Sequence, residues 1–130
     1  MNELTSDERT WGTAAHLGGF AGGILPFGHI IAPLIIWQLK KSESSFVDQN
    51  GKSALNFQLS ITLYILVICL MIIPFLFFST TIAGIELPLL LFTVGIGGVV
   101  IVQFILIIMA AIKAAKGEVF HYPFVIKFVK

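Results

Sequence analysis

The sequence predicts an all-α integral membrane protein, and three observations carry that reading. The chain of 130 residues is 57% apolar and only 12% charged, about half the charged share usual in soluble domains. A soluble chain this small leaves much of its surface exposed and has nowhere to hide so much apolar area, so lipid must act as its solvent. Charges also divide the chain into three apolar runs, between Arg9 and Lys40, Lys52 and Glu86, and Glu86 and Lys113. Each exceeds the roughly 20 residues that a spanning helix needs. Backbone groups in lipid must be satisfied within their own segment, which makes each run helical. The expected architecture is one transmembrane helical domain over residues 1–130 with four helical segments, at about 7–23, 29–41, 53–79 and 88–115. Two short N-terminal helices, broken at Ile24–Gly28, precede two full transmembrane helices and an interfacial C-terminal tail.

The first run, WGTAAHLGGFAGGILPFGHIIAPLIIWQL, is not one clean helix. Ser6 or Thr5 can cap its start, with Asp7 and Glu8 favourable in the first turn. The helix is expected to fail near Gly22–Gly23, and ILPFG reads as a break marked by Pro26 and Gly28. A second helix starts near His29, with Pro33 tolerated close to its beginning. Two arrangements satisfy this pattern: a single crossing broken in the middle, or a hairpin of two short helices.

The second run begins with the amphipathic stretch FVDQNGKSALNFQ and then becomes a full crossing, with a kink expected at Pro74. Ser79 to Gly84 is expected to form an outer loop, after which Glu86 and Pro88 open the last helix. That helix ends in KAAKG, where Gly117 is a good terminator. The tail EVFHYPFVIKFVK interleaves aromatic residues with lysines, as suits a membrane interface. Lys40, Lys41 and Lys52 precede the second run and Lys113, Lys116, Lys127 and Lys130 follow or end the third, while the loop between those runs has no Lys or Arg. The positive-inside rule then places the Lys40–Lys52 loop and the C-terminus in the cytosol, in a multi-pass protein of the cell membrane. The N-terminus lies inside for a hairpin and outside for a single crossing.

Composition narrows function chiefly by exclusion. A net charge of +1 leaves no electrostatic footprint for nucleic acid. Cys69 is the sole cysteine, which rules out an intrachain disulfide and a cysteine-based metal site. The acidic, polar start MNELTSDERT is unlike a basic secretory signal, so the chain is expected to be unprocessed. Paired carboxylates, metal-ligand spacing and a phosphate-binding glycine loop are all missing, so no catalytic, cofactor-binding or metal-ligating residue is assigned and no enzyme is expected.

Polar residues inside the apolar runs are the remaining handle. The stretch SALNFQLSITLYILVICLMIIPFLFF opens with two amides, Asn56 and Gln58, together with Ser60. Asn56, Ser60 and Tyr64 share one helical face, and Gln58 lies on roughly the opposite one. Gln103 sits near the middle of the last run, and His16 lies in the first. Buried amides need partners, so these groups face protein or water rather than acyl chains. One reading is interhelical bonding, with Asn56 or Gln58 holding the broken backbone near Pro26–Gly28. The other is a polar groove for a partner helix, a lipid headgroup or a passing segment. For His16 a hydrogen-bonded structural role outweighs a metal or proton-relay role, because the runs contain no Asp or Glu. Asp48 and Lys52 are spaced as a helical surface ion pair. Small residues recur every four positions, as Ala14, Gly18, Gly22 and as Ala15, Gly19, Gly23, with Gly95 and Gly98 on the last helix. Such rows let helices approach closely in lipid, either inside the protein or against a partner.

Three blocks, HLGGFAGGILPFGHIIAPLIIWQLKK, SSFVDQNGKSALNFQLSITLY and AAIKAAKGEVFHYPF, resemble the DUF 4870 family of small bacterial membrane proteins, also described as Tic-twenty-like. The resemblance implies four helical segments with both ends on one side, which favours the hairpin. It also implies protein translocation or membrane-protein assembly. The expected function is therefore a non-enzymatic interaction or assembly subunit, with the bilayer, other membrane proteins or further copies of itself as partners and no nucleic acid. The alternative is an oligomeric small-solute transporter or pore component, motivated by the broken helix and the polar residues at membrane depth.

Overall fold

A computed structural model describes residues 3–82 and 84–130. Among these residues there are four α-helices and no strand: α1 (Ser6–Leu17), α2 (Gly28–Lys40), α3 (Ser45–Ile82) and α4 (Glu86–Ala115). A 3-10 segment, Gly18–Gly23, links α1 to the turn before α2. Segments Ser45–Phe78 and Glu86–Ala115 are each long and apolar enough to cross a membrane. The protein is an all-α membrane protein and associates with the lipid bilayer.

The chain divides into two compact units. One comprises Met1–Ser60 with Ile105–Lys130, and the other Ile61–Phe104. The first holds α1, α2, the polar start of α3, the end of α4 and the tail. Its core includes Phe46, Val47 and Ala114, with Leu4 and Val119 packed against them. The second holds the apolar stretches of α3 and α4 and the turn between them. Its large side chains point outward, among them Leu70, Met71, Phe77, Val94 and Ile101. That is the pattern of a segment whose solvent is lipid.

Local chemistry explains the ends of α1 and α4. Thr5 caps α1 in a reciprocal box: its hydroxyl accepts from the Glu8 amide, and the Glu8 carboxylate accepts from the Thr5 amide at 2.7 Å. Two orphan donors of the first turn are thereby satisfied. α4 stops at a glycine in the left-handed region, Gly117 (φ 85°). The Glu118 amide donates to Lys113 O and the Gly117 amide to Ala114 O, at 3.0 and 2.9 Å, which is a Schellman arrangement.

Element boundaries differ from expectation in three places. The first α-helix ends at Leu17, before Gly22–Gly23, because GGFAGG tightens into a 3-10 helix. Glycine favours the α-helix poorly, and runs of 3-10 geometry this long need outside support. Packing supplies it: a Cβ on Gly18 would lie 3.2 Å from Pro33 Cδ and one on Gly22 would lie 3.0 Å from His29 Nδ1. α3 starts at Ser45 rather than near residue 53, since the amphipathic stretch is already helical. At its other end α3 passes through Pro74 and reaches Ile82, so the expected Ser79–Gly84 loop shrinks to the turn before Glu86, where Gly84 has φ 79°. Within that loop Ala83 lies outside the described residues.

Candidate functional site

The start of α3 carries a polar face: Asn50, Ser53, Asn56 and Ser60 recur at spacings of three and four, so they lie along one side of the helix. The C-terminal tail docks there. Asn56 makes two bonds to one residue of the tail, its Nδ2 donating to Val129 O at 2.9 Å and its Oδ1 accepting from the Val129 amide at 2.7 Å. Ser60 Oγ accepts the Ile126 amide at 2.9 Å and donates to Asn56 O at 2.8 Å. Ser53 Oγ donates to Phe120 O. The two bonds of Asn56 satisfy both backbone groups of Val129, as an amide with one donor side and one acceptor side can.

A second cluster lies on the same side. His16, fully buried on α1, has Nε2 2.8 Å from Asn50 Oδ1 and Nδ1 3.0 Å from the Tyr122 hydroxyl. Asn50 Nδ2 donates to Phe46 O at 3.0 Å, which orients the amide so that its oxygen faces the ring. His16 then donates from Nε2 and accepts the Tyr122 proton at Nδ1, the assignment of a neutral imidazole. Burial pushes the Tyr122 phenol up, and it stays a neutral donor. Its ring stacks on Phe57 with centroids 3.9 Å apart and meets Phe120 edge-on. Among the described residues, every buried side-chain nitrogen and oxygen has a hydrogen-bond partner, as native interiors require.

Gln58 serves the other face of α3. It is buried, and its amide fills the space that a side chain on Gly19 would occupy, beside Ile107 Cδ1. Asn56 thus engages the tail rather than the backbone near Pro26–Gly28, and Gln58 lies beside Gly19 of the 3-10 segment. Gln103 belongs to the other unit, half-buried there. Of the small-residue positions, Gly18, Gly19 and Gly22 sit in close internal contacts, whereas Gly23, Gly95 and Gly98 have no described atom within 4 Å of an added Cβ. Pro26 is exposed in the turn before α2. Gly28 is packed against the backbone carbonyl of Ala21. Pro74 lies within α3.

Sequence reasoning missed Asn50, Ser53 and Tyr122. The signal for the first two was present, since they extend the Asn56–Ser60 face toward the N-terminus at helical spacing. Tyr122 had no signal, because a lone tyrosine in an aromatic tail reads as an interfacial anchor.

Polar clasps surround the site. Trp37 Nε1 donates to Asp48 Oδ1 and Lys52 Nζ pairs with Asp48 Oδ2, both at 2.7 Å. Lys41 lies 4.5 Å from the Trp37 ring centroid. Ser44 donates to Glu8 Oε1 at 2.6 Å, joining the start of α1 to the α2–α3 loop. That hydroxyl, followed by the amide and hydroxyl of Thr5, holds the Glu8 carboxyl below its ordinary value.

The model of a family described as the magnetosome magnetite crystal formation protein family (MamF/MmsF) matches residues 7–129. No curated protein and no solved structure matches the chain. The family match corrects the expected resemblance to the DUF 4870 family, and the Tic-twenty-like translocation reading falls with it. The blocks behind that resemblance are packing blocks, as Gly19 against Gln58 and Gly28 against Ala21 illustrate. Close packing in lipid selects small residues whatever the protein does, so these residues report a fold rather than a task.

Proposed function

This chain belongs to the magnetosome magnetite crystal formation protein family, and on that premise we propose that it is a non-enzymatic membrane subunit of crystal formation. It acts by contact with other membrane proteins or further copies of itself. The observation that carries this reading is the family match, which spans nearly the whole chain. Two features support contact rather than chemistry. His16, Asn56 and Ser60 are engaged in holding the fold together, and α3 and α4 present large apolar side chains outward over Ile61–Phe104.

In this reading the protein is multi-pass, with both ends and the Lys40–Lys52 stretch on the cytosolic side. Lysine placement supports that orientation. So do the Glu8–Ser44 bond, which brings the start of α1 beside the loop, and the Asn56–Val129 bonds, which bring the tail beside the start of α3.

The test is a deletion in a magnetosome-forming bacterium, with crystal size and number read by electron microscopy. Altered crystals that the wild-type chain restores support the reading, and unchanged crystals overturn it. Photocrosslinking probes at Leu70 and Val94, both exposed, test the contact mode in the same cells. Crosslinks to one defined protein, or to the chain itself, are expected. Crosslinks to lipid alone would remove the contact mechanism.

A further inference from the structure

The docked tail and the start of α3 enclose a cleft of about 310 Å³, whose lining includes Lys52, His121, Val125, Lys127, Val129 and Lys130. We infer that this cleft binds a phosphate-bearing anion, and that the headgroup of an anionic phospholipid is its source in the membrane.

Charge is the first argument. No Asp or Glu lines the cleft. Lys52 is matched by Asp48, yet its ammonium has three donors and that partner takes one. Lys127 and Lys130 make no ion pair among the described residues. The lining therefore brings three lysines together with no acidic side chain among them, and the side chains of Lys127 and Lys130 stand outside any ion pair among the described residues. A tetrahedral anion with several acceptor oxygens is the ligand that satisfies such a set.

Rigidity is the second. A lysine-bearing tail would ordinarily be mobile, and ordering it would weaken binding. Here the bonds from Ser53, Asn56 and Ser60 to the backbone at Phe120, Ile126 and Val129 already order it. The cleft is formed before any ligand arrives.

The third argument selects the lipid source. Along the tail, Val125, Lys127 and Val129 line the cleft, while the alternate residues Phe124, Ile126 and Phe128 are exposed at 89%, 41% and 49%. The tail therefore sets exposed apolar side chains, Ile126 and Phe128 among them, close in sequence to the lysines that line the cleft. Exposed apolar side chains next to lysines are at home at the acyl boundary, with the charge at headgroup level. The helix length agrees. Ser45–Phe78 has 34 residues, about 50 Å at 1.5 Å per residue, against a hydrocarbon core of about 30 Å. The surplus carries Lys52 to headgroup level. A phospholipid suits this arrangement, with its phosphate in the cleft and its chains beside the exposed Ile126 and Phe128.

The test uses the full chain in neutral detergent, with dioleoyl phosphatidylglycerol retention titrated by native mass spectrometry. Lys127→Gln with Lys130→Gln is expected to weaken binding roughly tenfold or more, as two removed cations near an anionic surface imply. Val125→Trp, which fills the cleft and keeps every charge, is expected to weaken it similarly. Lys40→Gln with Lys41→Gln removes the same charge elsewhere and is expected to leave binding within about twofold. Equal binding by the Lys127/Lys130 variant and the wild type overturns the site, as does an equal loss in the Lys40/Lys41 variant. Inorganic phosphate is the second probe. Failure of millimolar phosphate to displace the lipid assigns the site to a headgroup. Displacement keeps the anion site but overturns the lipid as its source. Unchanged circular dichroism shows that each variant has folded.

Discussion

Asn56 illustrates how a single side chain can hold down a terminus. Its amide matches the N–H and C=O of Val129, which a leucine of similar size cannot do. Asn56→Leu loses both bonds and strands two backbone groups, so it is expected to destabilise by about 2 kcal/mol. Thermal unfolding in detergent measures that loss, and limited proteolysis checks that cleavage begins in the tail. Glu8 gives the pH dependence of the opposite end. Its folded-state pKa is lowered from 4.5 by the Ser44 hydroxyl first and the Thr5 donors next. Its contribution is therefore present above pH 4.5 and disappears as pH falls through the lower folded value. Glu8→Gln is expected to flatten the stability profile over that acid range and leave its shape near neutrality unchanged, as a melting series from pH 3 to 7 will show.

Secondary-structure elements here are governed by how closely backbones approach. Glycine at position 28 is required by contact, because a Cβ would press on the Ala21 carbonyl, which is backbone and cannot swing aside. Gly23 faces open space. Gly28→Ala is expected to destabilise by about 1–3 kcal/mol and Gly23→Ala to stay within about 0.5 kcal/mol, both read by thermal unfolding. Sequence showed that GGFAGGILPFG breaks a helix, since glycine and proline act locally. It did not show that the break starts at Gly18, because the contacts that stabilise the 3-10 segment are tertiary, Pro33 and His29 reaching it from α2 and Gln58 from α3. The early start of α3 has a similar cause. FVDQNGKS is polar enough to read as a loop, and its helix is supported by Trp37 on Asp48 and by His16 on Asn50.

At the scale of the whole molecule, topology is the testable quantity. A Cys69→Ser background permits single cysteines at Glu3, Ser42, Ile85 and Glu118, labelled in oriented vesicles with a membrane-impermeant maleimide. Glu3→Cys, Ser42→Cys and Glu118→Cys are expected to react from one side and Ile85→Cys from the other. Reaction of Glu3→Cys on the side of Ile85→Cys would replace the hairpin of α1 and α2 by a single broken crossing. The exposed apolar residues of the Ile61–Phe104 unit fit lipid or a membrane partner, and the photocrosslinks at Leu70 and Val94 separate those two.

The sequence by itself determined that this protein is helical and lives in a membrane. Hydropathy, charge spacing and the glycine and proline breaks are properties of short windows, and the bilayer imposes helicity on any window apolar enough to enter it. It also marked Asn56, Gln58, Ser60 and His16 as residues that must have partners, because polar groups in an apolar setting need them. Which partners they have was decided only by the tertiary structure. Val129 lies 73 residues from Asn56, Tyr122 lies 106 from His16, and Asn50 lies 34 from His16. Periodicity is a local signal and cannot choose among such distant pairings. The folded chain chooses one in which every buried side-chain nitrogen and oxygen among the described residues is bonded.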